Sequence, residues 1–309
     1  MTAMPPATPS TADTAAGPAP PASEAHGRPA GGPALGTGLV LGGLLAQEFG
    51  AAMAASLFPR AGALGIVALR LTVSAVLLLA VCRPRVRGHR RADWAVIVAF
   101  GVALAGMNTL FYQAIARIPL GAAVTLEVLG PLVLSVVTAR RATSWLWAAL
   151  ALGGVALLGR GGLDSLDGAG AGAGFALGAA ALWAAYILLS ARTGARFPKA
   201  DGLALAMAVG AVLSLPPGLA DAGGRLLDPL TLGLGAAVAV LSSALPYSLE
   251  MLALRRLAPA TFAVLMSLAP AVAALAGYLV LNQSLTGIDL IAITLVVTAS
   301  AGAVRASSR

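Results

Sequence analysis

LGAAVTLEVLGPLVLSVVTA, residues 120–139, is an apolar run of twenty residues with one charge in it, Glu127. A helix rises about 1.5 Å per residue, so this run spans about 30 Å, the thickness of bilayer hydrocarbon. Arg140 and Arg141 close it. A carboxyl group at that depth costs roughly 2.5–3.5 kcal/mol or more and is usually kept for function. Working outward, further apolar stretches lie near 36–57, 62–82, 93–115, 145–160, 172–191, 203–220, 230–251, 260–281 and 286–304. The chain is 59% hydrophobic and 10% charged, a balance unlike that of a soluble domain. The fold class is therefore an all-α membrane protein with ten transmembrane helices. The loops are too short to hold a further domain.

Residues 1–34 are rich in Pro, Ala, Thr and Gly with no apolar run, and are expected to form a disordered tail. They lack the basic start, apolar core and cleavage site of a signal peptide, so the first span is expected to act as an uncleaved signal anchor. The single cysteine, Cys82, allows no intramolecular disulfide and reads as a small apolar residue.

The basic residues sort by side. On one side fall Arg28; Arg83, Arg85, Arg87, Arg90 and Arg91; Arg140 and Arg141; Arg192, Arg196 and Lys199; Arg255 and Arg256; Arg305 and Arg309. Only Arg60, Arg117, Arg160 and Arg225 fall on the other, and Arg70 is in a span. The positive-inside rule places both termini in the cytoplasm of a multi-pass protein of the cytoplasmic membrane. It also explains the basic loop RPRVRGHRR (83–91) without nucleic acid.

An internal repeat is legible. Leu129-Gly130-Pro131 returns as Leu268-Ala269-Pro270, and Arg117 as Arg256, both 139 residues on. Gly38 and Gly42 before Gln47 return as Gly174 and Gly178 before Trp183, 136 residues on. Two five-helix repeats follow, over 35–160 and 172–304. Five is odd, so the second enters from the opposite side. Inverted repeats are an architecture of secondary transporters, with the site near the midplane. The glycine spacing also suits close helix packing.

Arg70, Glu127, Glu48 and Glu250 are the ionisable groups inside the spans or near their ends. A guanidinium grips a carboxylate with a two-pronged geometry, so Arg70 is a candidate for substrate recognition; the alternative is a structural ion pair with an intramembrane Glu. Ser74 shares its helix face. Glu127 has Ala123, Gly130 and Pro131 beside it, small residues expected to leave a cavity open. Glu48 either lines a polar interior with Ala51 and Ala52 or pairs with Arg70. Glu250 is expected to make an interfacial salt bridge with Arg255 or Arg256. Ala105, Asn108 and Tyr112 share one helix face, Ser243, Tyr247 and Glu250 another, and Trp183 and Tyr186 a third. Asn108, Tyr112, Trp183 and Tyr247 complete the candidate substrate site, and Glu127 and Glu48 are the candidates for proton coupling. The histidines are His26 and His89, and no HExxH, Cys cluster or phosphate loop occurs, so no metal or cofactor and no enzymatic role is expected.

The strings ASLFP (55–59), ALRL (68–71), GMNTLFYQAIARIPLG (106–121), LEVLGPL (126–132), LWAAYILLS (182–190), LPYSLEMLAL (245–254) and LMSLAPAVAAL (265–275) resemble the EamA-type drug/metabolite transporters. Within them the likeness is to bacterial amino-acid exporters of the threonine/homoserine type. The resemblance implies ten helices in two inverted repeats and export of small amphipathic metabolites driven by an ion gradient. It places Arg70 and Glu127 on the polar groups of a central cavity. It departs at Asn282-Gln283, where the family usually reads Gly-Glu, so any role of that carboxylate is absent, and at Glu48, where the exporters look more neutral. The implied partners are a small-molecule substrate, the lipid bilayer and a proton gradient. A homodimer stays open. Alternatives are a carrier of sugars, drugs or other metabolites on the same fold, or a non-transporting membrane scaffold.

Overall fold

In hydrocarbon every backbone N–H and C=O must find its partner within the chain, and a helix does this locally. The computed structural model obeys that demand: its described residues are 33–139, 142–160, 168–198, 200–257 and 259–307, and among them there are helices and no strands. The 1–34 tail, apart from its last two residues, lies outside the described residues. Pro33 opens the first helix, three residues before the expected start of the first span at 36.

The helices are α1 (Pro33–Ser56), α2 (Phe58–Cys82), α3 (Arg91–Ile115), α4 (Leu120–Glu127), α5 (Leu129–Ala139), α6 (Ala142–Arg160), α7 (Ala169–Gly194), α8 (Asp201–Ala222), α9 (Pro229–Ala239), α10 (Leu245–Leu254), α11 (Pro259–Met266), α12 (Ala269–Leu281) and α13 (Gly287–Ser307). α4 and α5 form one crossing, as do α9 with α10 and α11 with α12. Among the described residues nine helices are long and apolar enough to cross a membrane, and the apolar part of α6, Trp145–Leu158, is shorter.

Proline explains the three broken crossings. Its ring has no N–H and clashes with the carbonyl four residues back. Pro131 breaks the helix after Glu127, so α4 ends there and α5 begins at Leu129. Pro270 does the same after Met266. Between α9 and α10 the chain makes a π-helical turn, Val240–Ala244, and Pro246 follows. The Ser242 carbonyl therefore loses its α-helical donor and is left for another group.

α2 lies along α8, α3 along α7, α4 along α12 and α6 along α13, while α1 runs against both α10 and α12. The approaches are close because small residues stand at the crossings. A Cβ at Gly130 would run into the Ala180 carbonyl of α7. The space beside Glu127 at Gly130 is thus filled by a neighbouring backbone and is not cavity. Near the start of α2, Gly62 takes φ 67, a left-handed backbone that suits glycine. Beyond that kink the Leu64 N–H donates to Asp221 Oδ2 at 3.0 Å, tying α2 to the end of α8.

Gln283 has a job of its own. Its Oε1 accepts from the Leu120 N–H at 3.0 Å, capping the helix that carries Glu127. Asn282 ends α12 with φ 53. A carboxylate is not needed at 283 for that cap, because an amide oxygen accepts equally well.

Candidate functional site

Arg70 projects from α2 into a cavity of about 200 Å³. Its Nη1 donates to Asn108 Oδ1 at 2.9 Å and to the Tyr112 hydroxyl at 3.2 Å. Its Nη2 donates to the Ser242 carbonyl at 3.2 Å, the carbonyl that Pro246 leaves without its helical donor. Asn108 is itself fixed, since its Nδ2 donates to the Leu104 carbonyl at 2.8 Å and so turns its oxygen to the guanidinium. The Tyr112 ring lies 5.6 Å from the Arg70 guanidinium carbon, a cation–π distance, and is held by Phe58 and Phe111. The cation is thus stabilised by dipoles and a π-face from three residues on two other parts of the chain, α3 and the π-helical turn, which orients it as well as solvating it.

Around Arg70 the wall consists of Gln47, Glu48 and Ala51 on α1, Met107, Asn108 and Phe111 on α3, and Val124 and Glu127 on α4. Trp183 and Tyr186 on α7, Ser242, Glu250 on α10 and Met266 on α11 complete it. Three carboxyl groups and one guanidinium therefore face one small space. Glu48 and Glu127 lie within electrostatic range of each other and of Arg70, and Gln47 is hydrogen-bonded to the Glu48 carboxyl. In so apolar a surround each charge is felt far more strongly than in water. At about 30 Å³ per water, the space holds six or seven waters or one small zwitterion.

Of the residues expected from the sequence, the fold brings Arg70, Glu127, Glu48, Asn108 and Trp183 to this cavity. Tyr112 does not reach the wall. It is fully buried and stands behind Arg70, where it positions the guanidinium. The side chain of Tyr247 lies outside the described residues. Glu250 differs most from expectation. It lines the cavity, while Arg256, one of the two partners expected for it beside Arg255, donates to the Leu252 carbonyl. The π-helical turn at Val240–Ala244 holds an extra residue and rotates the register, so Ser242 faces the cavity in place of Ser243. Reading the eighth span as uninterrupted helix hides this; Pro246 just after two serines was the available signal. Tyr186, on the helix face of Trp183, joins it in the wall, and Gln47, Met107, Phe111 and Met266 are further wall residues that helical periodicity alone leaves unmarked.

The profile of the EamA-like transporter family matches residues 170–305. The threonine/homoserine exporter RhtA of Salmonella typhimurium is 42% identical over 255 residues, covering 82% of this chain and 86% of its own. RhtA of Escherichia coli K12 is 40% identical over 264 residues, covering 85% of this chain and 89% of its own. One solved crystal structure has a TM-score of 0.58 at 21% identity, over 88% of this chain and 98% of that one, a likeness of fold.

Proposed function

The chain belongs to the EamA-like transporter family, and from that premise we infer that it exports small amino acids of the threonine/homoserine kind by proton antiport. It is a membrane carrier and not an enzyme. The observation that carries the substrate class is the meeting of Arg70 with Glu48 and Glu127 in one intramembrane cavity sized for a small zwitterion. Arg70 takes the substrate carboxylate, and Glu127 with Glu48 takes the ammonium group. A carboxyl group there can carry a proton in one direction and surrender it when an ammonium arrives. Proton and substrate then exclude each other from one site, which is the coupling that antiport requires.

The architecture we propose is ten helices in two inverted five-helix repeats, 35–160 and 172–304, with both termini in the cytoplasm. α6 supplies the fifth crossing. Paired contacts support the repeat. A Cβ at Gly36 would lie 2.7 Å from Leu257 and 3.3 Å from Arg256; one at Gly172 would lie 2.7 Å from Ile118 and 3.0 Å from Arg117. Gly42 faces Leu249 and Gly178 faces Leu110 in the same way. Each contact maps onto the other by the offsets read in the sequence. By contrast Gly38 and Gly174 have nothing within 4 Å, so of the glycines that the spacing singled out only Gly42 and Gly178 face a neighbouring helix. The contact of α1 with α10 likewise pairs with that of α7 with α3. The distribution of Arg and Lys supports the orientation.

The test is efflux of labelled threonine from proteoliposomes. Export accelerated by acid outside is expected. Threonine that moves at a rate indifferent to the pH gradient removes the proton coupling and keeps the export. No threonine movement under any ion gradient removes the proposal.

A further inference from the structure

The polar cavity shares one wall with a second chamber of about 280 Å³. Gln47, Glu48, Val124, Glu127, Trp183 and Met266 line both. Arg70, Asn108, Ser242 and Glu250 line only the first. Past the shared wall the second chamber is hydrocarbon: Val128, Pro131, Leu132, Ile187, Phe262 and Ala263. Its polar members there are serines, and the hydroxyl of Ser267 is spent on the Val264 carbonyl at 2.6 Å. The break at Pro131 produces this division. α4 delivers Glu127 to the boundary, and the chain then turns to present Val128, Pro131 and Leu132 to the next chamber.

An α-amino acid matches the division at three points. With its carboxylate at Arg70 and its ammonium at Glu48 and Glu127, the α-carbon stands at the shared wall. Its side chain then has the second chamber before it. Threonine offers three side-chain heavy atoms to a space that would hold about nine waters. The geometry points to a wider substrate class: amino acids with large apolar side chains, such as leucine, methionine and phenylalanine, carried with the side chain in this second chamber. The inference rests on the export reading above, because it uses the same seat for the carboxylate and ammonium groups. Each methylene moved from water to such a wall favours binding about fourfold, so leucine should bind on the order of tenfold more tightly than threonine.

The test is counterflow of labelled leucine and labelled threonine in proteoliposomes, with Ala263→Leu as the blocking variant. Ala263 faces the second chamber and is not among the residues around Arg70. Leucine should move with a KM about tenfold below that of threonine. Ala263→Leu should raise the leucine KM about tenfold and leave the threonine KM within twofold. Threonine that moves while leucine neither moves nor competes overturns the inference and keeps the export reading. Equal losses for both substrates in folded Ala263→Leu protein make the chamber a passage and overturn the inference as well. Movement of neither substrate in the unaltered protein fails the export reading itself, and the inference with it. If Ala263→Leu does not fold, Leu132→Ala serves instead: a widened chamber should shift preference toward phenylalanine over leucine, and an unchanged preference overturns the inference.

Discussion

Two proline-broken crossings meet at the cavity, and they carry different chemistry. In the first half Pro131 breaks the chain four residues after Glu127; in the second Pro270 breaks it four residues after Met266. Both Glu127 and Met266 line the cavity. Arg70 and Glu48 also come from the first half, whereas the second contributes Trp183, Tyr186, Ser242 and Glu250. The backbone device is thus used twice and most of the charge once. A break that delivers a side chain to the cavity is a packing solution, and packing constrains size and proline placement without constraining charge. On the proposed reading the charges answer to the cargo, so they are where the two proposed repeats are free to diverge.

The largest expected effect tests that division directly. Glu127→Gln keeps shape and removes the exchangeable proton. Gradient-driven efflux should be abolished, with substrate exchange between equal pools retained. Met266→Leu, at the equivalent break, should keep gradient-driven efflux within a few-fold. A Glu127→Gln protein still accelerated by the gradient would move the coupling to Glu48.

Next in size is Arg70→Lys. Lysine keeps the charge and loses the planar fork, so it cannot satisfy Asn108, Tyr112 and the Ser242 carbonyl together. Substrate affinity should fall by about 1–3 kcal/mol, five- to 150-fold, as for a charge-assisted hydrogen bond. Wild-type transport by folded Arg70→Lys protein would reject the recognition role. Loss of folded protein would mark the group as structural.

The paired glycines give a smaller, symmetric effect. Alanine at Gly36 or Gly172 must displace Leu257 or Ile118, an overpacking that typically costs about 1–3 kcal/mol. Alanine also favours the helix by up to about 1 kcal/mol over glycine. A net loss on the order of 1 kcal/mol is expected at each site, read as thermal stability in detergent. Unequal losses would count against the repeat.

These cases show what a sequence reading reaches. Depth along a span was legible: the expected 93–115 and 62–82 differ from Arg91–Ile115 and Phe58–Cys82 by a few residues at their starts. Hydrophobic run length sets depth, and run length is local. Rotation about the helix axis was legible only while the helix stays regular. Asn108 and Tyr112, one turn apart in unbroken α3, both reach Arg70. Glu250 lies beyond a π-helical turn, and its direction followed from that turn and not from spacing. Whether a small residue means space or contact was not legible either, because Gly130 is answered by Ala180 fifty residues away.

The smallest effect concerns how α3 and α9, which the proposed repeat makes equivalent, begin. A helix start leaves N–H groups without partners. In the second half Asp228 reaches forward: its Oδ2 accepts from the Thr231 N–H at 3.0 Å and the Thr231 hydroxyl at 2.9 Å. In the first half Asp93 reaches back, and its Oδ2 accepts from the Arg90 N–H at 3.1 Å. The Thr231 backbone and hydroxyl donors hold the Asp228 carboxyl below its ordinary value, with the Arg60 charge a lesser contributor. A lowered folded value means that the ionised carboxylate stabilises the fold above the unfolded value of about 3.9, and that this stability is lost as pH falls through the folded value. Asp228→Asn keeps an oxygen acceptor and cannot ionise. Its thermal midpoint should therefore lie slightly below wild type at neutral pH, and the gap should close as the medium is acidified past the folded value. A gap that persists in acid would assign the effect to the shape of the cap and not to its charge.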